Sequence, residues 1–168
     1  VMGSDSAIVK IKVFSSFTCP HCANFHKNVV SKIKEKYIDS NQVQIIFIDF
    51  PLDQASFNAS KILHCLDKKN QLLYMDNIYE NQERWTVGSS IDEINDNLKK
   101  IAVNFEMNSE KFNKCINNEK VEDKILNGRI IGNKKYLINA TPTIVINEKK
   151  FKENANFKNI NKKIEKLI

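Results

Sequence analysis

A chain of 168 residues is long enough for one compact domain with a genuine core. Its 42% hydrophobic and 27% charged residues, with only four glycines and three prolines, exclude collagen-like and linker-dominated architectures. The net charge of +6 would admit an acidic partner, but the lysines of segments 32–36 and 158–166 alternate with acidic residues, as on solvated helix faces. There is no zinc-finger spacing and no aromatic RNA-binding motif, so nucleic acid is not an expected partner.

No apolar run reaches the roughly 18 residues of a membrane-spanning helix. The longest, Val43 to Phe50, is strand-sized and broken by Gln44 and Asp49. No signal peptide is visible at Val1. The start reads as that of a mature chain whose leader has been removed, so its missing address does not argue for the cytoplasm.

In chain order, Ala7 to Phe14 alternates Val9, Ile11 and Val13 against Ile8, Lys10 and Lys12, which predicts a strand. A short polar turn is expected over Ser15 to Thr18. Pro20 suits a first helical turn, and Phe25, Val29, Val30, Ile33 and Tyr37 follow helical spacing up to about residue 37. A second, mostly buried strand is expected at Val43 to Asp49, stopped by Pro51. A helical stretch follows, in pieces Ala55–Lys68, Gln71–Glu80, Ser90–Phe105, Ser109–Asn117 and Val121–Leu137, with Asp92 and Ser109 as expected N-caps. Strand character returns at Pro142 to Asn147. A hairpin turn is expected at Asn147 to Lys150 with Phe151 opening its partner strand, and an amphipathic helix from Phe157 to Ile168. The fold class expected is α/β, a small sheet over residues 1–53 and 138–168 split by an all-helical insertion over 54–137.

Four cysteines fall into a close pair, Cys19 and Cys22, and a distant pair, Cys65 and Cys115. The close pair sits where a strand turns into a helix. There the partial positive charge and free N–H groups of the helix start favour a sulfur anion at position 19, and a protonated His21 would add to that effect. A stabilised thiolate is a good leaving group, which makes the closed pair an oxidant toward other thiols. Cys19 is then the exchanging nucleophile, Cys22 the resolving thiol, His21 a tuning group and Pro20 the helix starter. Thr141-Pro142 opens a strand after a polar turn, where a cis peptide bond is structurally reasonable.

Other readings of the same residues are open. Cys19, Cys22 and His26, with His64 or Cys65 as a fourth ligand, could bind zinc, but structural zinc sites usually present two paired knuckles and only one is present; no metal is expected. His26 and His64 are expected to be ordinary helix residues. The acceptor patterns Asn58-Ala59-Ser60 and Asn139-Ala140-Thr141 are too frequent by chance to carry meaning.

With these elements in place the chain resembles the DsbA family of bacterial periplasmic thiol oxidases, nearly from end to end. The resemblance lies in Phe17 to His26 around Cys19-Pro20-His21-Cys22, in Asp49 to Asp53, in Trp85, in Phe112 to Cys115, and in Ala140 to Thr143 with the strand behind it. It implies a thioredoxin fold with an inserted all-helical subdomain, and a loop at Thr141 and Pro142 that faces the redox pair and can pair its backbone with an extended substrate. It also implies a structural disulfide between Cys65 and Cys115, which would close a loop of about fifty residues and stabilise by on the order of 4 kcal/mol. Three departures stand out. Two bear on redox poise: Val13 stands where many members carry a glutamate beneath the active site, and Thr141 stands where the best-known oxidase has valine. The third is that the chain starts just before the active-site strand, so an edge strand is expected to be missing.

The function so implied is a periplasmic thiol-disulfide oxidoreductase that introduces disulfides into secreted proteins and needs no cofactor. Its partners would be reduced, unfolded secreted proteins and a DsbB-type membrane oxidase, and the chain itself would be a monomer that does not span the membrane. The alternatives are a disulfide isomerase or reductase on the same scaffold and a non-catalytic metal-binding module.

Overall fold

The computed structural model describes all 168 residues. At its centre a four-stranded sheet runs in the order β2-β1-β3-β4, with β1 at Val9–Ser15, β2 at Val43–Asp49, β3 at Thr143–Ile146 and β4 at Lys149–Lys150. Helix α1, residues 20–38, connects β1 to β2. Six helices lie between β2 and β3: α2 Gln54–Cys65, α3 Lys68–Glu80, α4 Gln82–Trp85, α5 Ile91–Ala102, α6 Ser109–Ile116 and α7 Glu119–Tyr136. Helix α8, Phe157–Glu165, closes the chain. No helix is long and apolar enough to cross a membrane.

β1 pairs parallel with β2, Val9 opposite Val43 through Ser15 opposite Asp49. A parallel pair needs a crossover connection, and α1 supplies it. β3 then returns antiparallel on the other side of β1, with Val13 opposite Ile144. The active-site segment therefore leaves the C-terminal end of a central strand, and β3 begins beside it. The first residues add an isolated bridge, Met2 opposite Ile45, on the outer side of β2.

The period-two alternation of β1 sends Val9, Ile11 and Val13 to one face and Phe14 to the other. The first face packs on Val29 and Ile33 of α1 and on Ile160 and Ile164 of α8. The second is covered by Tyr136 and Ile138 at the end of α7, with the Phe14 and Tyr136 rings 5.6 Å apart. The buried stripe of α1 (Cys22, Phe25, Val29, Ile33, Tyr37) advances mostly by four residues, which on a regular helix drifts by about 40° per step. Two π-helical turns, His26–Val30 and Lys34–Ile38, widen the helix and hold the stripe on one side.

The inserted helices enclose a second core built around Trp85, Tyr74, Ile62, Ile78 and Leu98, and this core reaches up to include Phe17 and Cys22. The Trp85 indole N–H donates to the Ile78 carbonyl at 2.9 Å. A disulfide joins Cys65 at the end of α2 to Cys115 on α6.

Several boundaries depart from expectation. The N-caps of α5 and α6 are Ser90 and Asn108, not Asp92 and Ser109: their side chains accept from Glu93 N–H and Lys111 N–H, and both have the extended backbone a cap requires. Helix α2 stops at Cys65, because Leu66 is extended, and α3 starts at Lys68 rather than Gln71. The hairpin turn is the two left-handed residues Asn147 and Glu148, so pairing resumes at Lys149, ahead of Phe151. Glu148 is held there by Lys12, Lys135 and the Tyr136 hydroxyl, which keep its carboxyl down near about 2.

The turn expected after β1 is present, closed by Cys19 N–H on the Ser16 carbonyl at 3.1 Å, but it is not solvated: Ser16 and Phe17 are both buried. The first turn of α2 anchors it: Ser56 Oγ accepts from Phe17 N–H at 2.8 Å and from the Ser16 hydroxyl at 2.7 Å. Replacing Ser56 by Ala would leave two buried donors unpaired, and we expect a loss of about 2 kcal/mol, read as a lowered denaturant midpoint at unchanged slope. An unshifted midpoint would show that this anchor carries no stability.

Candidate active site

Cys19 occupies the N-cap of α1 with extended backbone and makes no side-chain capping bond; Pro20 follows at the first helical position. The helix begins here because Pro20 has no N–H to leave unpaired and a preset φ, while Cys22 N–H and Ala23 N–H both turn back to the Cys19 carbonyl at 3.1 Å. Cys19 is partly exposed and Cys22 is buried, 2% exposed, and neither is in a disulfide. Pro20 and His21 are exposed beside them.

The Thr141-Pro142 peptide bond is cis. It turns the chain so that the Thr141 carbonyl lies 3.4 Å from Cys19 Sγ. Thr141 Oγ1 is buried without a hydrogen-bond partner. It sits on the Cys22 side, where it favours that sulfur's anion. The larger effect is opposite in sign: burial pushes the Cys22 thiol up to about 12, and the Ser16 backbone and the Thr141 hydroxyl offset it only in part. The two thiols thus differ in kind, one reachable from solvent and one held as S–H in an apolar wall.

Two further groups position the pair. Gln82 on α4, itself buried, donates its amide to the Phe17 carbonyl at 2.7 Å and to the Cys19 carbonyl at 3.1 Å. Asp53 caps α2 through Ser56 N–H and accepts the Thr18 hydroxyl at 2.7 Å. Beside Thr18 and Pro20 opens a cleft of about 550 Å³, walled on its far side by α4 and the start of α5 and lined mainly by polar residue types. None of these groups stands out in sequence: a lone Gln or Asp among many carries no spacing signal, and only the fold brings α4 to the redox loop.

The residues considered as metal ligands are not gathered. Cys65 is bonded to Cys115, and no three His, Cys, Asp or Glu side chains converge on one point. His26 and His64 lie within helices, as expected, and each meets a carboxylate. His64 Nε2 lies 2.5 Å from Asp49 Oδ2. His26 is 8% exposed and places Nε2 2.6 Å from Asp76 Oδ1 on α3.

Comparison with known proteins supplies the context for this geometry. The family profile described as Thioredoxin matches residues 1–166. Disulfide bond formation protein D of Bacillus subtilis (strain 168) is 26% identical over 176 residues, spanning 100% of this chain and 76% of the relative. A Rickettsia bellii protein bearing a provisional protein-disulfide oxidoreductase name is 28% identical over 170 residues, 100% of this chain but only 64% of the relative; the chain therefore spans less than two thirds of that protein. The crystal structure of Wolbachia pipientis alpha-DsbA1 superposes with a TM-score of 0.89 at 31% identity, over 99% of this chain and 88% of that one. Oxidised BdbD from Bacillus subtilis shares the fold, with a TM-score of 0.81 at 24% identity over 98% and 90% of the two chains. By the end-to-end profile match and the likeness to alpha-DsbA1, this chain has a thioredoxin fold with inserted helices and belongs to the DsbA-like branch of the thioredoxin family.

Proposed function

We propose that this protein is a thiol-disulfide oxidoreductase that introduces disulfide bonds into secreted proteins in the periplasm. The observation that carries the reading is the inequality of the two sulfurs: Cys19 partly exposed at the helix start, against the Thr141 carbonyl of the cis-proline loop, and Cys22 buried with its thiol raised to about 12. Exchange then has one entry point. A substrate thiolate attacks Cys19 Sγ of the closed pair, forming a substrate–Cys19 disulfide and releasing Cys22 as a thiolate that takes up a proton. A second substrate thiolate attacks the substrate sulfur of that mixed disulfide and expels Cys19. The substrate has lost two electrons and two protons, and the Cys19/Cys22 dithiol holds the electrons.

The dithiol is closed again by an electron acceptor, for which a DsbB-type membrane oxidase is the partner proposed. The backbone at Thr141, beside Cys19, suits an extended segment of an unfolded chain, and the polar cleft between α1 and α4 would take the flanking residues. Pro20 sets the helix start, and His21 lies exposed where it meets the substrate. The Cys65–Cys115 disulfide within the insertion favours an oxidising compartment.

Two experiments test the reading. Cys22→Ser protein, with Cys19 first loaded with thionitrobenzoate, should accumulate a stable adduct with a reduced cysteine peptide, one peptide mass per chain, while Cys19→Ser protein forms none; an adduct that bypasses Cys19 overturns the assigned roles. Equilibration with a glutathione buffer should place the Cys19–Cys22 couple well above thioredoxin's value of about −270 mV. A potential at or below that value would make the protein a reductase.

The pH behaviour of Cys22 follows from its burial. A thiol raised to about 12 is ionised in only about one molecule in ten thousand at pH 8. In Cys19→Ser protein the alkylation rate of Cys22 should therefore climb about tenfold per pH unit from 7 to 10 without levelling. A plateau in that range would contradict the burial argument.

A further inference from the structure

The exchange reaction proposed above leaves a proton unaccounted for. Cys22 must gain a proton when substrate opens the pair and lose it when the pair closes, yet its sulfur is buried away from water. The strand residue beneath it, Val13, is apolar and can carry none. Among the side chains packed around Cys22 is a buried histidine that the exchange steps do not use. His26 follows Cys22 by one turn of α1 and is 8% exposed, and its Nδ1 is buried with no hydrogen-bond partner. A buried ring nitrogen left unpaired forgoes a hydrogen bond, which a native interior rarely permits without a purpose.

His26 lies on the boundary between two spaces. On one side is a narrow void with no room for a water molecule, shared by Cys22, Val13, Ser15, Phe47 and Tyr79. On the other is an open cleft of about 300 Å³ between α1 and α3, where the Asp76 carboxylate, 60% exposed, meets His26 Nε2 at 2.6 Å. The imidazole thus separates the sulfur from solvent. The ring is held by Tyr79 and Phe47, with centroids 4.9 and 5.9 Å away.

We propose that His26, oriented by Asp76, is the proton relay of Cys22 and links its sulfur to the α1–α3 cleft; the inference rests on the thiol-exchange reading. When substrate expels Cys22 as a thiolate, the sulfur takes the proton carried on His26 Nδ1, while Nε2–H stays donated to the Asp76 carboxylate. The ring is left neutral, with its hydrogen on Nε2 and a lone pair on Nδ1. When the pair is closed again, Nδ1 accepts the Cys22 proton as that sulfur attacks the mixed disulfide at Cys19, and the imidazolium so formed is paired with Asp76 and exchanges its proton with the cleft. The two half-reactions are reciprocal, so one cycle restores the protonation state it started from. Asp76 acts as a positioning residue, fixing ring orientation and steadying the imidazolium.

The other ionisable groups near the ring leave this role to His26. Tyr79 on α3 is kept neutral by its burial and lies well above the usual phenol range. Lys27 and Lys34 on α1 and Glu80 on α3 line the open cleft rather than the void. β1 and β2 present only Val13, Ser15 and Phe47 to the void.

The test follows the two thionitrobenzoate releases when reduced protein meets Ellman's reagent, the first from attack by Cys19 and the second from resolution by Cys22. In His26→Gln the first release should match the parent protein within twofold. The second should slow by about a hundredfold at neutral pH, within the range of lost general-base catalysis. Its rate should then rise tenfold per pH unit, whereas the parent protein, with a base beside the sulfur, should show a shallower dependence. Asp76→Asn, altered at an exposed position, should slow the second release in the same direction, and it carries the test should His26→Gln not fold. A second release whose rate and pH profile are the same in these variants as in the parent overturns the relay. Loss of the first release in Cys19→Ser, with the second unaffected in both variants, would spare the exchange reading and remove only the relay.

Discussion

The burial of one sulfur at the meeting point of two cores is the constraint on which this structure turns. Helix α1 contributes Phe25, Val29 and Ile33 to the core beneath the sheet, yet its first turn puts Cys22 into the core of the inserted helices. Desolvation there pushes the Cys22 thiol up to about 12, while three residues earlier Cys19 stays within reach of solvent. A helix turn is about 5.4 Å, so the two environments must change over that distance. Only a helix start wedged between two separately packed layers provides such a gradient.

The inserted helices therefore do more than cover the sheet. Ser56 holds Ser16 and Phe17, Asp53 holds Thr18, and Gln82 holds the Phe17 and Cys19 carbonyls. Every residue from Ser16 to Cys19 has a polar partner at the start of α2 or on α4, so the loop that presents Cys19 is set by those helices as much as by β1. The Cys65–Cys115 bond ties α2 to α6 below this point and restrains the helix whose first turn supplies Ser56 and Asp53. From the other side, β3 brings Thr141 against the pair by beginning directly beside the end of β1.

Much of this architecture was readable along the chain. The alternation at Val9 to Val13, the helical spacing from Phe25 to Tyr37 and the apolar run at Val43 to Phe47 are local patterns, and each became the element its period implies. Element ends were read less well. Ser90 caps in place of Asp92 and Asn108 in place of Ser109 because a cap is chosen by backbone angles at one residue, and several neighbouring residues could have served. The turn at Asn147 and Glu148 was displaced for a similar reason: Glu148 is a poor left-handed residue by itself, and the cations and hydroxyl that hold it come from β1 and α7.

The amino-acid order alone determined the layer plan and the place of Cys19, Cys22 and Thr141-Pro142 within it, because those features depend on short-range periodicity and on residue types with few alternative uses. Tertiary structure alone decided which sulfur is buried, that His26 meets Asp76 and keeps a buried nitrogen unpaired, and that Gln82 reaches the redox loop. The partners concerned lie 50 residues apart for His26 and Asp76 and 63 for Cys19 and Gln82. Nothing in a local pattern encodes a pairing at that distance; it exists only once the hydrophobic faces of separate helices have packed and carried their polar edges along.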